Sequence, residues 1–285
     1  VRFPTVTDRS QPAAPGLSPG GEEGLGLWLA NVAPEGFVWL VGTGPGDPDL
    51  LTVKAARLIG AADVVVHDRL VPEAILKLAR RGARLIETGK TAYGPSWKQA
   101  DINAVIVAEA RGGAQVVRLK SGDPGIFGRM DEEMDALDAA GIGFAIVPGI
   151  TAAVAAAAGI KTSLTRRGRN SGIRIITGHD VDGFAEQDWR SLARPGAVAA
   201  VYMGVRAASF LRGRLLMHGA AQDLAVTAVE NASRPDQRVI ATTLLALPEA
   251  LEAAAPEGPV VIFLGLSPRA AAAAAEDAAL MLGAV

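Results

Sequence analysis

Cysteine is absent from all 285 residues. That one absence excludes disulfide staples, thiolate metal sites, iron–sulfur clusters and a cysteine nucleophile. Histidine is nearly absent: His67, His179 and His218 are the three. They stand far apart, and none forms a pair spaced for one ion, so no metal site is expected. Long apolar runs are missing too. None reaches the ~18–20 residues of a membrane-spanning helix, and the opening VRFPTVTDRSQPAAPG has no apolar core of the kind a secretory leader carries. The expectation is a soluble, cytoplasmic chain. Excess charge of one sign is also lacking. The formal net charge is -2, which provides no global positive field for nucleic acid or an anionic membrane, and neither is expected as a partner.

Hydrophobic residues make up 49% and charged residues 20%, a globular balance in a chain long enough for two domains. Residues 1–35 stand apart. Pro4, Pro12, Pro15, Pro19 and Pro34 are interspersed with glycines, so neither a helix nor a ladder can persist, and the segment reads as an extension. Order begins with the apolar run FVWLVG at Phe37. Further strand candidates, Val64–Val66, Arg84–Glu87, Val116–Leu119 and Phe144–Val147, alternate with helix candidates Leu50–Ile59, Pro72–Arg80, Lys98–Arg111 and Glu132–Ala140. Such alternation implies parallel strands joined by crossovers, an α/β architecture. GITAAVAAAAGI, ending near residue 160, reads as a tightly packed helix or a hinge. Beyond it come strand candidates Ile173–Thr177, Val198–Met203, Ala225–Glu230, Val239–Thr243 and Val260–Leu264, and helices at Arg206–His218, Pro248–Ala254 and Pro268–Leu282. More strand-to-strand steps there predict a mixed sheet. The expected organisation is an extension over 1–35, one α/β domain over 36–150 and a second over 151–285.

Three strand ends carry chemistry. Gly42-Thr43-Gly44-Pro45-Gly46-Asp47 follows the first strand, where open α/β sheets bind ligands. It is not a dinucleotide fingerprint: Pro45 lacks an amide donor, and Asp47 and Asp49 put negative charge where a pyrophosphate would lie. A nicotinamide oxidoreductase is therefore disfavoured, and a ligand without phosphate suits the loop better. Arg118-Leu119-Lys120-Ser121-Gly122-Asp123-Pro124-Gly125-Ile126 and Val147-Pro148-Gly149-Ile150-Thr151-Ala152 are the other two. Loops of this kind on one sheet can line a single crevice.

Taken in order, GTGPGDPDLLTVKA, VVVHDRLV, VVRLKSGDPGIFGR, VPGITAA, TGH, VYMG and VENAS resemble the tetrapyrrole methylase family, over about Phe37 to Leu266. The resemblance implies two α/β domains with the active site in the cleft between them, a homodimer, and S-adenosylmethionine as methyl donor. It implies cofactor contacts at Pro45, Ser121, Gly122, Asp123, Ile126, Thr151 and Ala152, with Met203 and Ala232 from the second domain. Asp68 of HDRLV and Lys90 of ETGK match the positions of proton acceptor and proton donor. The HDRLV pattern is similar to the members that methylate uroporphyrinogen III. No GxGxxG module precedes Phe37, so a single activity is expected. Three positions depart from the family's pattern: Ser121 stands where a glycine is usual, Arg166 replaces a histidine, and MDEEMDAL follows Arg129 in place of a glycine-rich turn.

A porphyrinogen bearing carboxylates needs cations. Arg166, Arg167, Arg169 and Arg174 cluster after the small-residue segment, and guanidinium forks match carboxylates. Arg166 and Arg167, with Arg69 and Arg129 beside the proposed site loops, are the substrate-binding candidates. The reaction would be attack of a pyrrole carbon on a sulfonium methyl, with no covalent enzyme nucleophile. Another precorrin methylase, or a non-catalytic cofactor-binding protein on the same fold, is the alternative.

Overall fold

The computed structural model describes residues 34–89 and 97–271. Residues 1–33 of the expected extension, Lys90, and most of the expected helix Pro268–Leu282 lie outside the described residues.

The first sheet contains β1 (Val38–Gly42), β2 (Val64–His67), β3 (Arg84–Glu87), β4 (Val116–Lys120) and β5 (Phe144–Val147), in the order β3-β2-β4-β1-β5. Every pairing in it is parallel, so all five carboxyl ends emerge at one edge. β1, β2 and β4 are buried at every position, as strands covered on both faces must be. One face carries Val38, Leu40, Val64, Val66 and Val116, packed with Ile102, Ile106 and Leu137 from the helices Gln99–Arg111 and Met130–Ala140. β3 is the edge and is mostly exposed; its Arg84 is capped by a two-pronged bond to Glu109 at 2.8 and 3.0 Å.

The second sheet contains β6 (Arg174–Thr177), β9 (Ala199–Tyr202), β10 (Ala225–Glu230), β11 (Arg238–Thr243) and β12 (Val260–Leu264), ordered β11-β10-β12-β9-β6. Only β6 and β9 pair in parallel; the other three pairings are antiparallel, so this sheet is mixed. GITAAVAAAAGI forms the helix Ala152–Gly159. Although it follows β5, its Ala153, Ala156 and Ala157 pack with Ala200, Val229, Val261 and Phe263 of the second sheet. Side chains no larger than methyl allow that helix to lie close to the strands.

Several boundaries differ from those read in the sequence. The helix expected from Leu50 starts at Val53, because Pro48–Leu50 forms its own 3-10 turn and Thr52 caps the next helix through Ala55 N at 3.1 Å. The segment Pro72–Arg80 is helical only over Glu73–Leu76. Beyond it, Leu78 and Ala79 bond to carbonyls three residues back, which tightens the turn and ends the helix. The short hairpin of β7 (His179–Asp180) and β8 (Gly183–Phe184) and the helix Trp189–Leu192 were not expected. Two-residue strands are too short to show alternation. Among the described residues no helix is long and apolar enough to cross a membrane.

Candidate functional site

The loops leaving β1, β4 and β5 are joined through backbone. Gly44 and Gly122 exchange amide bonds at 3.1 and 2.7 Å. A Cβ on Gly149 would lie 2.1 Å from the Gly122 carbonyl oxygen, and one on Gly42 would lie 2.6 Å from the Gly149 nitrogen. No other residue permits three chains this close. Asp123 completes the lacing: one carboxylate oxygen accepts from Gly149 N and the other from Gly125 N, both at 2.9 Å. That aspartate is thus a strut between two loops as well as part of the cleft wall.

Beneath these loops lies a buried charge cluster. Glu133 is 1% exposed, Arg118 4% and Lys120 5%. Arg118 Nε donates to one Glu133 oxygen at 3.0 Å and Lys120 Nζ to the other at 2.7 Å. Arg118 also reaches Thr88 Oγ1 at 3.3 Å. Two cations share one carboxylate, so the cluster keeps a positive excess. Burial lowers the Lys120 pKa despite Glu133, and Arg118 adds to the lowering. Nearby, Asp68 Oδ1 accepts from Leu70 N at 2.8 Å, an Asx turn that fixes the carboxylate at the end of β2.

The facing wall belongs to the second sheet. The Tyr202 hydroxyl meets Thr151 Oγ1 and accepts from Ala153 N at 2.9 Å, tying β9 to the start of the small-residue helix. Burial pushes the Tyr202 pKa upward. Its ring lies 5.3 Å from that of Phe127. Met203 takes a left-handed backbone at φ 53, and His179 Nδ1 lies 2.9 Å from the Met203 carbonyl.

Between the two walls is a cleft of about 640 Å³. The first sheet's loops contribute Pro45, Ser121, Gly122, Asp123 and Ile126 to its lining, and Thr151 and Ala152 come from the start of the helix. Met203 and Ala232 come from the second sheet. Asp68 and Arg129 also line it; Arg129 is paired with Glu132 at 2.7 Å. Three of the substrate-binding candidates are not brought to this wall. Arg69 is exposed and packs its stem over Gly89. Arg166 and Arg167 are exposed in a turn closed by Arg166 N to Asn170 Oδ1 at 3.1 Å, away from the cleft lining. Lys90 is outside the described residues.

Sequence reading missed Arg118, Lys120, Tyr202, His179 and Arg206, all of which line the cleft. A signal for the first two was present. In VVRLK, Arg118 and Lys120 are two apart on a strand and share one face, so a buried strand there must hold two cations and find them a carboxylate. Among the described residues no group of three or more acids or histidines could hold a metal ion.

The cleft and its loops have counterparts in known proteins. A family model described as Tetrapyrrole (Corrin/Porphyrin) Methylases matches residues 38–248. The chain belongs to the tetrapyrrole methylase family. Among tetrapyrrole methylases of known structure, uroporphyrin-III C-methyl transferase from Thermus thermophilus, solved with S-adenyl homocysteine, is 36% identical with a TM-score of 0.67, covering 80% of this chain and 91% of that one. A cobalt precorrin-4 methyltransferase of cobalamin biosynthesis is 27% identical with a TM-score of 0.73, covering 82% and 98%. The siroheme synthase of Gluconacetobacter diazotrophicus is 46% identical over 238 residues, which is 83% of this chain and 51% of that protein. This chain spans about half the length of the curated relatives it matches.

Proposed function

We propose that this chain is an S-adenosylmethionine-dependent C-methyltransferase that methylates uroporphyrinogen III twice, giving precorrin-2 by way of precorrin-1. The observation that carries the reading is convergence: strand-end loops from both sheets, separated by up to well over half the chain, line one cleft whose floor is a buried cluster with excess positive charge. The 36% identity to a uroporphyrin-III methyl transferase supports that substrate over a later corrin intermediate.

The residues present fit the cofactor. Val229, Ala232 and Pro259 offer an apolar wall for a nucleoside base, and the glycine-built loops expose peptide groups for its polar edges. Asp123 has both oxygens engaged by backbone amides, so it shapes the loop that would hold the amino-acid end. Pro45, Ser121, Gly122, Ile126, Thr151, Ala152 and Met203 would complete the cofactor contacts. Bound there, S-adenosylmethionine supplies an electrophilic methyl group. The protein's task is then orientation, holding carbon and methyl in line at roughly 3–3.5 Å. Asp68 is the proton acceptor in this reading: the Leu70 amide fixes one oxygen and leaves the other for the substrate's proton. Lys90 is the proposed donor. Arg118, Lys120, Arg129 and Arg206 give the lining its positive character, which suits a substrate with many carboxylates. A homodimer, and a product feeding sirohaem or cobalamin synthesis, belong to the same proposal.

The test is incubation of the chain with uroporphyrinogen III and S-adenosylmethionine, read by mass and absorbance. Two methyl groups per macrocycle and a precorrin-2 spectrum are expected. Methylation of a later corrin intermediate alone would transfer the assignment to another precorrin methylase. Binding of S-adenosylhomocysteine without any transfer would make the chain a cofactor-binding protein.

A further inference from the structure

We infer that Arg234 is a positioning residue for methyl transfer, reaching from the second sheet to lock the loop that carries Asp68. The inference rests on the reading of Asp68 as proton acceptor.

Arg234 projects from the turn after β10. That turn is held from several sides. Asn231 and Ser233 adopt left-handed φ angles of 51 and 67. Asn231 N donates to Pro259 O at 2.9 Å, Asn231 Nδ2 to Asp236 at 2.7 Å, and Ser233 N to Gln237 Oε1 at 2.8 Å. A turn fixed this way is a rigid mount for what it projects.

The mount faces the first sheet's loops. Ser233 Oγ accepts from Asp47 N at 3.1 Å. The Arg234 stem crosses Gly46, where a Cβ would lie 2.6 Å from Arg234 Cγ and 2.7 Å from its Nε. Gly46 is needed there for a second reason, its φ of 155. The guanidinium then donates to the Leu70 carbonyl at 2.8 Å and, more weakly, to the Pro45 carbonyl at 3.4 Å. Leu70 is held at both ends, because its amide donates to Asp68 Oδ1 at 2.8 Å. A chain of contacts therefore runs from the second sheet through Arg234 and Leu70 to the Asp68 carboxylate. Charge-assisted bonds of this kind are stronger than neutral ones. Without the guanidinium, Leu70 would be fixed only from the Asp68 side.

Loosening Leu70 weakens the amide bond that fixes the Asp68 carboxylate. Turnover should then fall while cofactor affinity holds, a split that general destabilisation would not produce.

The experiment compares the parent with Arg234→Met and Arg234→Lys by amide hydrogen exchange, turnover and cofactor titration. Arg234→Met is expected to raise exchange in the peptide covering residues 68–76 and to lower kcat about tenfold. The dissociation constant for S-adenosylhomocysteine should stay within about threefold, since the bond lost to Pro45 is long and the loop keeps the Gly44–Gly122 amide pair and the Asp47 bond to Ser233. Arg234→Lys keeps a cation and should recover most of kcat. If Arg234→Met does not fold, Arg234→Lys carries the same readouts at smaller amplitude. Parent-like exchange over 68–76 overturns the lock, whatever the enzyme does. Raised exchange with parent kcat overturns the positioning role. Asp68→Ala, measured alongside, keeps the two readings apart: parent-like turnover there removes Asp68 as proton acceptor, while the exchange result still decides the lock.

Discussion

In the first sheet all five strands run the same way, so the loops after β1, β2, β4 and β5 emerge at one edge and meet. In the second sheet only β6, β9 and β10 point their carboxyl ends at the cleft, and β12 enters from there. The two solve loop placement differently. The first uses backbone against backbone, with Gly42, Gly44, Gly122 and Gly149 in mutual contact. The second has such a contact between its parallel strands β6 and β9, where a Cβ on Gly178 would lie 2.8 Å from the Met203 carbonyl oxygen, and otherwise uses side chains: Tyr202 on Thr151, Glu230 on Glu257 and Gly258, Arg234 on Leu70. Their buried charges differ as well. The first sheet holds two cations on one carboxylate, whereas the second holds one carboxylate, Glu230, bound by an arginine and two amides. Adjacent parallel strands bring loops close enough for glycine contacts.

The sharpest way to break this contrast is at Glu133. Glu133→Gln keeps the shape and removes the charge, leaving Arg118 and Lys120 buried without an anion. Loss of one partner from a buried pair costs about 3–5 kcal/mol, and that destabilisation is expected in denaturant melts at neutral pH. The pH dependence has a definite sign. Burial already holds the Lys120 pKa below 10.5, and the variant lacks the carboxylate that opposed this. The folded state binds its proton less tightly than the unfolded state, so stability should recover as pH rises toward 10.5. A melt that is flat over that range would mean Lys120 is solvated.

In the second sheet the variant's deficit should be smaller, and it should shrink as pH falls and not as pH rises. Burial raises the Glu230 pKa, but the Gly258 amide, Arg238 and the Glu257 amide outweigh it and hold the pKa below 4.5. A depressed carboxyl contributes stability above its unfolded value, and that contribution is lost as pH falls through the folded value. Glu230→Gln should cost about 1–3 kcal/mol at neutral pH and flatten the loss of stability below pH 4.5. It should also loosen Gly258 and Pro259, which line the cleft, and weaken S-adenosylhomocysteine binding. Unchanged acid melting would remove Glu230 from this role.

The same contrast explains what could be read in the sequence. All ten strands of the two sheets were legible: VVVH and VVIFL are buried at every position and so are continuous in hydrophobicity, while the exposed RLIE and RVIATT stood out through their β-branched and apolar residues and their place in the alternation. The glycine loops were visible because close backbone approach permits one residue type. The first sheet's half of the cleft was therefore largely legible from Pro45 to Ala152. The second sheet's half was less so. Tyr202 and Arg234 act through contacts made across long sequence separations, 189 residues for Arg234 and Pro45, and TGH and VYMG were legible only as family motifs that did not single out His179 or Tyr202. The arginine cluster at Arg166 and Arg167 shows the converse: local density of charge is not placement, and both lie in a turn closed on Asn170, outside the residues that line the cleft.

That last point leads to the smallest effect, which concerns the substrate. The cleft's other cations are committed, Arg118 and Lys120 to Glu133 and Arg129 to Glu132. Arg206, in the turn between β9 and the helix Ala208–Met217, lines the cleft and among the described residues has no carboxylate partner. It also borders a neighbouring hollow of about 360 Å³ that shares Val205 with the cleft. An exposed guanidinium meeting a peripheral carboxylate contributes about 0.2–1 kcal/mol. Arg206→Ala should thus raise the apparent KM for uroporphyrinogen III by up to about fivefold with kcat nearly unchanged. The increase should shrink at high ionic strength, because exposed charges are screened. Arg166→Ala and Arg167→Ala should each move KM less than Arg206→Ala does. If either matches or exceeds it, the carboxylates reach past the described wall to the turn at Asn170, and the substrate lies farther from the first sheet than this cleft implies.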